Sequence, residues 1–65
     1  MPDKIKAIQK IVDEKQHGKV EGFHLDLFSA SAILNVFNAL SEKSQAKYIS
    51  MSVPAMANTA FKLLK

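Results

Sequence analysis

The sequence predicts an all-α fold: a compact bundle of about four short helices, with either a minimal β-hairpin or an extended link at residues 19–25. Apolar residues recur at helical spacing over most of the chain, and serine or aspartate stands where helices would begin. The one break in the helical period surrounds Gly22. We assign all 65 residues to a single small helical domain, residues 1–65.

The first predicted helix covers residues 3–17. We expect Asp3 to be its N-cap and Gly18 its C′ residue, with His17 in the last turn, where the helix dipole favours an imidazole. Its apolar face is formed by Ile5, Ile8, Ile11 and Val12.

Residues 19–25 interrupt this pattern. A glycine between alternating apolar residues, here Gly22 between Val20 and Phe23, is typical of a tight hairpin. An extended link fits the same residues, and a strand this short can also pair with its copy in a dimer.

The second predicted helix begins at Asp26 or Ser29 and continues to Leu40. It is apolar nearly all round, which indicates either the central helix of the domain or the seam between two copies. Ser41 is the expected N-cap of a short third helix that ends near residue 50, with Ala46 and Ile49 facing inward.

Ser52 is the expected N-cap of a fourth helix, which has Pro54 in its first turn. One face of this helix is predicted to consist of Val53, Ala57, Ala60, Phe61 and Leu64.

The charge is mildly basic and unevenly distributed. All nine basic residues are lysine, and six acids leave a net charge of +3. The middle of the chain, residues 21–40, has two acids and no lysine. Lysine lacks the planar guanidinium that reads guanine edges, so nonspecific phosphate contact is the form of nucleic-acid binding left open. The residues expected to make it are Lys4, Lys6, Lys10, Lys43, Lys47, Lys62 and Lys65.

Catalytic groups are few. The chain has no cysteine, which excludes thiolate chemistry and cysteine zinc sites, and its two glycines form no phosphate-binding motif. The one constellation is His24 with Asp26, which suits either a general base with its orienting carboxylate or two ligands of a weak metal site. We favour a structural role, with Asp26 as a helix N-cap and His24 beside it, and we expect no catalytic residue, cofactor or metal.

A chain this short buries a limited fraction of its surface, so self-association would help to stabilise it. We expect a homo-oligomer, with a dimer favoured. Met51 and Met56, with Tyr48 and Phe61, form either a soft partner-binding groove or part of the core. The residues assigned to an oligomer or partner interface are Phe28, Ala32, Val36, Met51 and Met56.

Several segments together resemble a known group of sequences. They are Val20-Glu-Gly, Leu25-Asp-Leu-Phe-Ser-Ala-Ser-Ala-Ile, Val36-Phe-Asn-Ala-Leu, Gln45-Ala-Lys-Tyr and Met56-Ala followed by Ala60-Phe-Lys-Leu. The chain resembles small uncharacterised proteins of tailed-bacteriophage and environmental-virus genomes over residues 18–65. The matching residues are packing and capping residues, and the resemblance transfers no catalytic site. It implies expression in an infected bacterial cell.

These observations lead to one functional expectation and one alternative. We expect a small non-enzymatic helical protein of phage type that acts as a protein interaction or oligomerisation module, with a second copy, a virion protein or a host protein as partner. The alternative is a lysine-based, nonspecific nucleic-acid-binding protein. No stretch approaches the ~20 apolar residues of a membrane helix and no secretory signal is evident, so we expect a cytoplasmic location without membrane contact.

Overall fold

The structure, a computed structural model, describes residues 3–15 and 17–63. The described part contains four helices and one antiparallel hairpin, in agreement with the predicted helical class. In chain order the elements are α1 (Asp3–Glu14), β1 (Gly18–Val20), β2 (Phe23–Leu25), α2 (Leu27–Ala39), α3 (Glu42–Ile49) and α4 (Val53–Leu63).

Helix α2 is the centre of the fold. It packs against α1, α3 and α4, which is why its sequence is apolar on almost every side. One continuous core contains four fully buried side chains from three helices: Ile33 of α2, Ile5 and Ile8 of α1, and Met56 of α4. The prediction of a central helix is therefore confirmed within a single chain.

The predicted end of the first helix is wrong by three residues. Helix α1 ends at Glu14. Lys15, and not Gly18, follows it and takes the left-handed backbone conformation (φ 52°) that is typical of a C′ residue. Gly18 instead begins β1, where a Cβ would lie 3.2 Å from Cγ1 of Ile11. This glycine allows the strand to approach α1 closely, and His17 lies outside the helix.

The hairpin is the correct choice between the two conformations predicted for residues 19–25. Lys19 pairs with His24 and Val20 with Phe23, across a two-residue turn. Glu21 and Gly22 both have positive φ, 52° and 83°, as a type I′ turn requires. This turn matches the twist of the two strands and sets their register.

The three caps predicted for the later helices are confirmed. The side chains of Asp26, Ser41 and Ser52 each accept a hydrogen bond from the backbone N–H three residues further on, at 2.7, 3.4 and 3.4 Å respectively. Asp26 therefore precedes α2 as its N-cap, which decides between the two starting points that the sequence left open.

The predicted inward faces of α3 and α4 are confirmed except at Ala46: Val53 and Ala60 are buried, and Ile49, Ala57 and Phe61 pack against the core. Ala46 is exposed, and Tyr48 is the buried residue of α3 because its hydroxyl reaches the backbone of α4. Met56 is fully buried beside Val53, whereas Ala57 is half-buried. Leu64 lies outside the described residues.

Candidate functional site

Three of the five residues assigned to a partner interface are in the core of the single chain. Ala32 and Val36 are buried because α2 is enclosed by the other helices, and Met56 is buried because α4 packs directly on α2. These three assignments are corrected. Met51 is half-buried against the core, and Phe28 alone of the five is well exposed.

Phe28 is the most exposed large apolar side chain in the described residues. It is the second residue of α2, and 72% of it is accessible. Its ring stacks on that of Phe61 of α4, with centroids 5.7 Å apart and planes at 26°. A stacked aromatic pair of this kind contributes about 0.5–1.5 kcal/mol beyond the area that it buries. The two helices therefore present a paired aromatic surface.

A small residue lies one helical turn from each of the two rings. Ser31 follows Phe28 by one helical turn, and Ala57 precedes Phe61 by one turn, so each lies beside an aromatic ring. Both are half-buried. We call Phe28, Ser31, Ala57 and Phe61 the aromatic surface. The sequence identified Phe28 as an interface residue but left Phe61 among groove or core candidates, because only the fold brings α2 and α4 together.

Lys4 is not available to a nucleic acid. Its side chain is only 9% exposed, and its ammonium donates to the carbonyl oxygens of Ile49 (2.8 Å) and Met51 (2.6 Å). It also lies 3.1 Å from Oε1 of Glu21. An ammonium has three donors, and these three acceptors occupy them. The assignment of Lys4 to phosphate contact is therefore corrected: it joins α1 to the end of α3.

The other lysines of the predicted set are solvent-exposed where the structure describes them. They are distributed over three helices: Lys6 and Lys10 on α1, Lys43 and Lys47 on α3, and Lys62 on α4. Lys65 lies outside the described residues.

His24 and Asp26 do not form the acid–base pair that their spacing suggested. The carboxylate of Asp26 caps α2. Hydrogen bonds to this carboxylate, mainly from the backbone N–H of Ser29 and to a smaller extent from the Ser29 hydroxyl, hold the pKa of Asp26 below its usual value. His24 instead meets His17, with Nε2 3.3 Å from Nδ1 of His17. Sequence reasoning missed this histidine pair because it placed His17 on a helix.

A shallow, open depression of about 210 Å³ lies between α1 and β1. It is lined by Ala7, Lys10, Ile11, Glu14, His17, Gly18 and Lys19. Its volume is below the range of about 300–1,000 Å³ usual for small-molecule sites. Within residues 3–15 and 17–63, no three metal-ligating side chains of histidine, cysteine, aspartate or glutamate are grouped together.

The comparisons with known proteins supply no relative. No protein-family model, curated protein or solved structure matches the chain. The resemblance to bacteriophage proteins therefore stays a prediction. Among the described residues, no helix has the length and apolar character needed to span a membrane.

Proposed function

We propose that this chain is a small, non-enzymatic helical protein of phage type that works through protein contact, and that the aromatic surface binds a second copy of the chain. The observation that carries the proposal is the exposure of Phe28, 72% accessible although it is stacked on Phe61. Aromatic side chains, phenylalanine included, are enriched in protein interfaces relative to the rest of the surface.

The size of the chain fits this role. Burying an exposed phenylalanine side chain contributes about 1.5–3 kcal/mol, so two equivalent rings in a symmetric pair give a substantial gain. The whole chain exposes 4350 Å². A standard interface buries roughly 800 Å² per partner, about a fifth of that area, and a twofold contact centred on Phe28 supplies its own partner surface.

Sedimentation equilibrium over a wide concentration range tests this proposal. The wild-type chain is expected to shift from its 7.2 kDa mass towards twice that value as concentration rises. Phe28→Lys places a charge at the centre of the surface and is expected to weaken association by about tenfold or more.

Leu63→Lys is the matched control, because Leu63 is 61% exposed and also apolar but lies on a different side of α4 from Phe61. This variant should associate like the wild type. A wild-type mass that stays monomeric at every concentration, or equal loss in both variants, contradicts the proposal.

The alternative function is nonspecific nucleic-acid binding by lysines. Without Lys4, five exposed lysines on three helices remain for it among the described residues. Sedimentation with duplex DNA added at low and at high salt tests this alternative. Co-sedimentation at low salt that is released at high salt and is unaffected by Phe28→Lys would favour this alternative over self-association.

A further inference from the structure

The two histidines of the chain lie against each other. Nδ1 of His17 is 3.3 Å from Nε2 of His24, and the ring centroids are 5.3 Å apart with planes at 30°. Both side chains are exposed. No part of the interaction surface proposed above includes them, so their arrangement calls for its own explanation.

The hairpin places the histidines together. Lys19 is directly opposite His24 in the strand register, and His17 precedes Lys19 by two residues. Side chains two apart along a strand share a face, so His17 is the diagonal neighbour of His24. The two-residue turn fixes this register, and the hairpin therefore keeps the two histidines close to each other.

We propose that Nδ1 of His17 and Nε2 of His24 bind a divalent transition-metal ion of the zinc and copper type. Two imidazole nitrogens on a tetrahedral zinc ion, each about 2.05 Å from the metal, are about 3.3 Å apart. The separation in the hairpin equals this value. Neutral imidazole is the preferred nitrogen ligand of these ions, whereas magnesium and calcium prefer oxygen.

Binding requires a small change at the pair. In the free protein one of the facing nitrogens must carry the hydrogen that the other accepts. For both lone pairs to face the ion, that hydrogen moves through solvent to the outer nitrogen of its own ring. The ion then takes the place of the hydrogen between the two facing nitrogens.

Both histidines are exposed, and charged side chains of both signs lie near them. The described residues provide no third grouped ligand, so water molecules complete the coordination and the ion exchanges readily. Lys19 is the cross-strand partner of His24, and both Lys10 and Glu14 line the same depression as His17. The ammonium charges of the two lysines oppose a cation, whereas the carboxylate of Glu14 favours one. Removing one of the lysine charges should tighten metal binding, which a merely structural histidine contact does not predict.

The test is a Zn²⁺ titration of the full chain, followed by NMR of the imidazole ring resonances and by calorimetry. Both histidines are expected to shift together and to saturate at one equivalent of ion per chain. Cu²⁺ is expected to bind more tightly than Zn²⁺, and Mg²⁺ not at all.

Variants identify the ligands. His17→Ala and His24→Thr are each expected to weaken Zn²⁺ binding by about tenfold or more, and Lys19→Gln to strengthen it about twofold to fivefold. Circular dichroism establishes that each variant is folded. Histidines that do not shift with Zn²⁺, or full binding in either single variant, would overturn the proposal. Phe28→Lys should bind Zn²⁺ normally, which separates this site from the aromatic surface.

Discussion

Lys4 shows how far a single residue can depart from its expected environment. The sequence predicts that Lys4 contacts phosphate, yet its ammonium donates to the carbonyls of Ile49 and Met51 and pairs with Glu21. Residues at a helix C-terminus have carbonyl groups without intrahelical partners, and a cation there satisfies them and complements the dipole. Lys4 performs this function for α3 from a different helix.

Replacing Lys4 is therefore expected to destabilise the fold. Lys4→Met keeps most of the side-chain packing but removes the hydrogen bonds to two carbonyls, and should lower the free energy of unfolding by roughly 1–3 kcal/mol. Urea unfolding followed by circular dichroism measures this loss.

Glu21→Gln is the control for the ionic part of the Lys4 contact. The Glu21 side chain is 53% exposed, so its removal should cost less than about 1 kcal/mol. If Lys4→Met unfolds at the wild-type urea concentration, the hydrogen bonds to Ile49 and Met51 do not stabilise the protein.

At the scale of elements, the turn and the caps were predictable, whereas the end of α1 was not. Gly22 and the caps at Asp26, Ser41 and Ser52 are residue types that favour the conformations they adopt. Lys15 carries no such signal, and the nearest glycine, Gly18, is required for a different reason: the close approach of β1 to Ile11. Such a long-range packing requirement is invisible in local sequence.

Because Lys15 has a left-handed backbone conformation at the end of α1, a substitution there can stabilise the fold. Because glycine adopts φ 52° without the Cβ penalty, Lys15→Gly is expected to raise the free energy of unfolding by about 1 kcal/mol. Gly22→Ala is the opposite case, at φ 83°, and should lower it by about 1 kcal/mol.

The two substitutions isolate the backbone contribution. A Cβ at Gly22 would meet no atom within 4 Å, so steric overlap does not contribute to the loss. Thermal unfolding of both variants measures the gain in stability expected for Lys15→Gly and the loss expected for Gly22→Ala. A fall in stability for Lys15→Gly would mean that Lys15 contributes contacts beyond its backbone conformation.

On the scale of the whole molecule, Tyr48 links the last two helices to the core. It is 3% exposed, and its hydroxyl donates to the carbonyl of Met56 at 2.8 Å. Burial raises the pKa of Tyr48 from 10.0 to about 12. Ionising the phenol would place a charge in the core, so the folded chain resists it.

This pKa shift predicts an alkaline limit to stability. Because the pKa of Tyr48 is raised in the folded state, its contribution is complete below pH 10 and is lost as pH rises from 10 towards 12, by roughly 2–3 kcal/mol in total. Urea unfolding at several pH values measures this, and phenolate absorbance reports directly on Tyr48, the only tyrosine in a chain without tryptophan.

Tyr48→Phe is the control, because it retains all the lysines, which also titrate between pH 10 and 12. Its free energy of unfolding should fall less steeply with pH than that of the wild type. If the wild type and Tyr48→Phe lose stability in parallel, the buried phenol is not responsible.

The sequence predicts only part of the candidate functional site. The sequence predicts that Phe28, near the start of a helix, is an interface residue. Its stacking partner Phe61 is more than thirty residues away, and only the packing of α4 on α2 brings the two rings together. Ala32 and Val36 were assigned to an interface because an all-round apolar helix fits either a core or a seam, and three neighbouring helices decide for the core.

The contact of Lys4 with Ile49 also bears on the order of folding. The two residues are 45 positions apart, so the loop between them must close before the ammonium finds its acceptors, and closure of a long loop carries an entropic cost. During synthesis α1 leaves the ribosome before α3, so Lys4 emerges well ahead of the carbonyls that accept its hydrogen bonds. Helix α1 therefore reaches its final environment only after α3 and Met51 have been made.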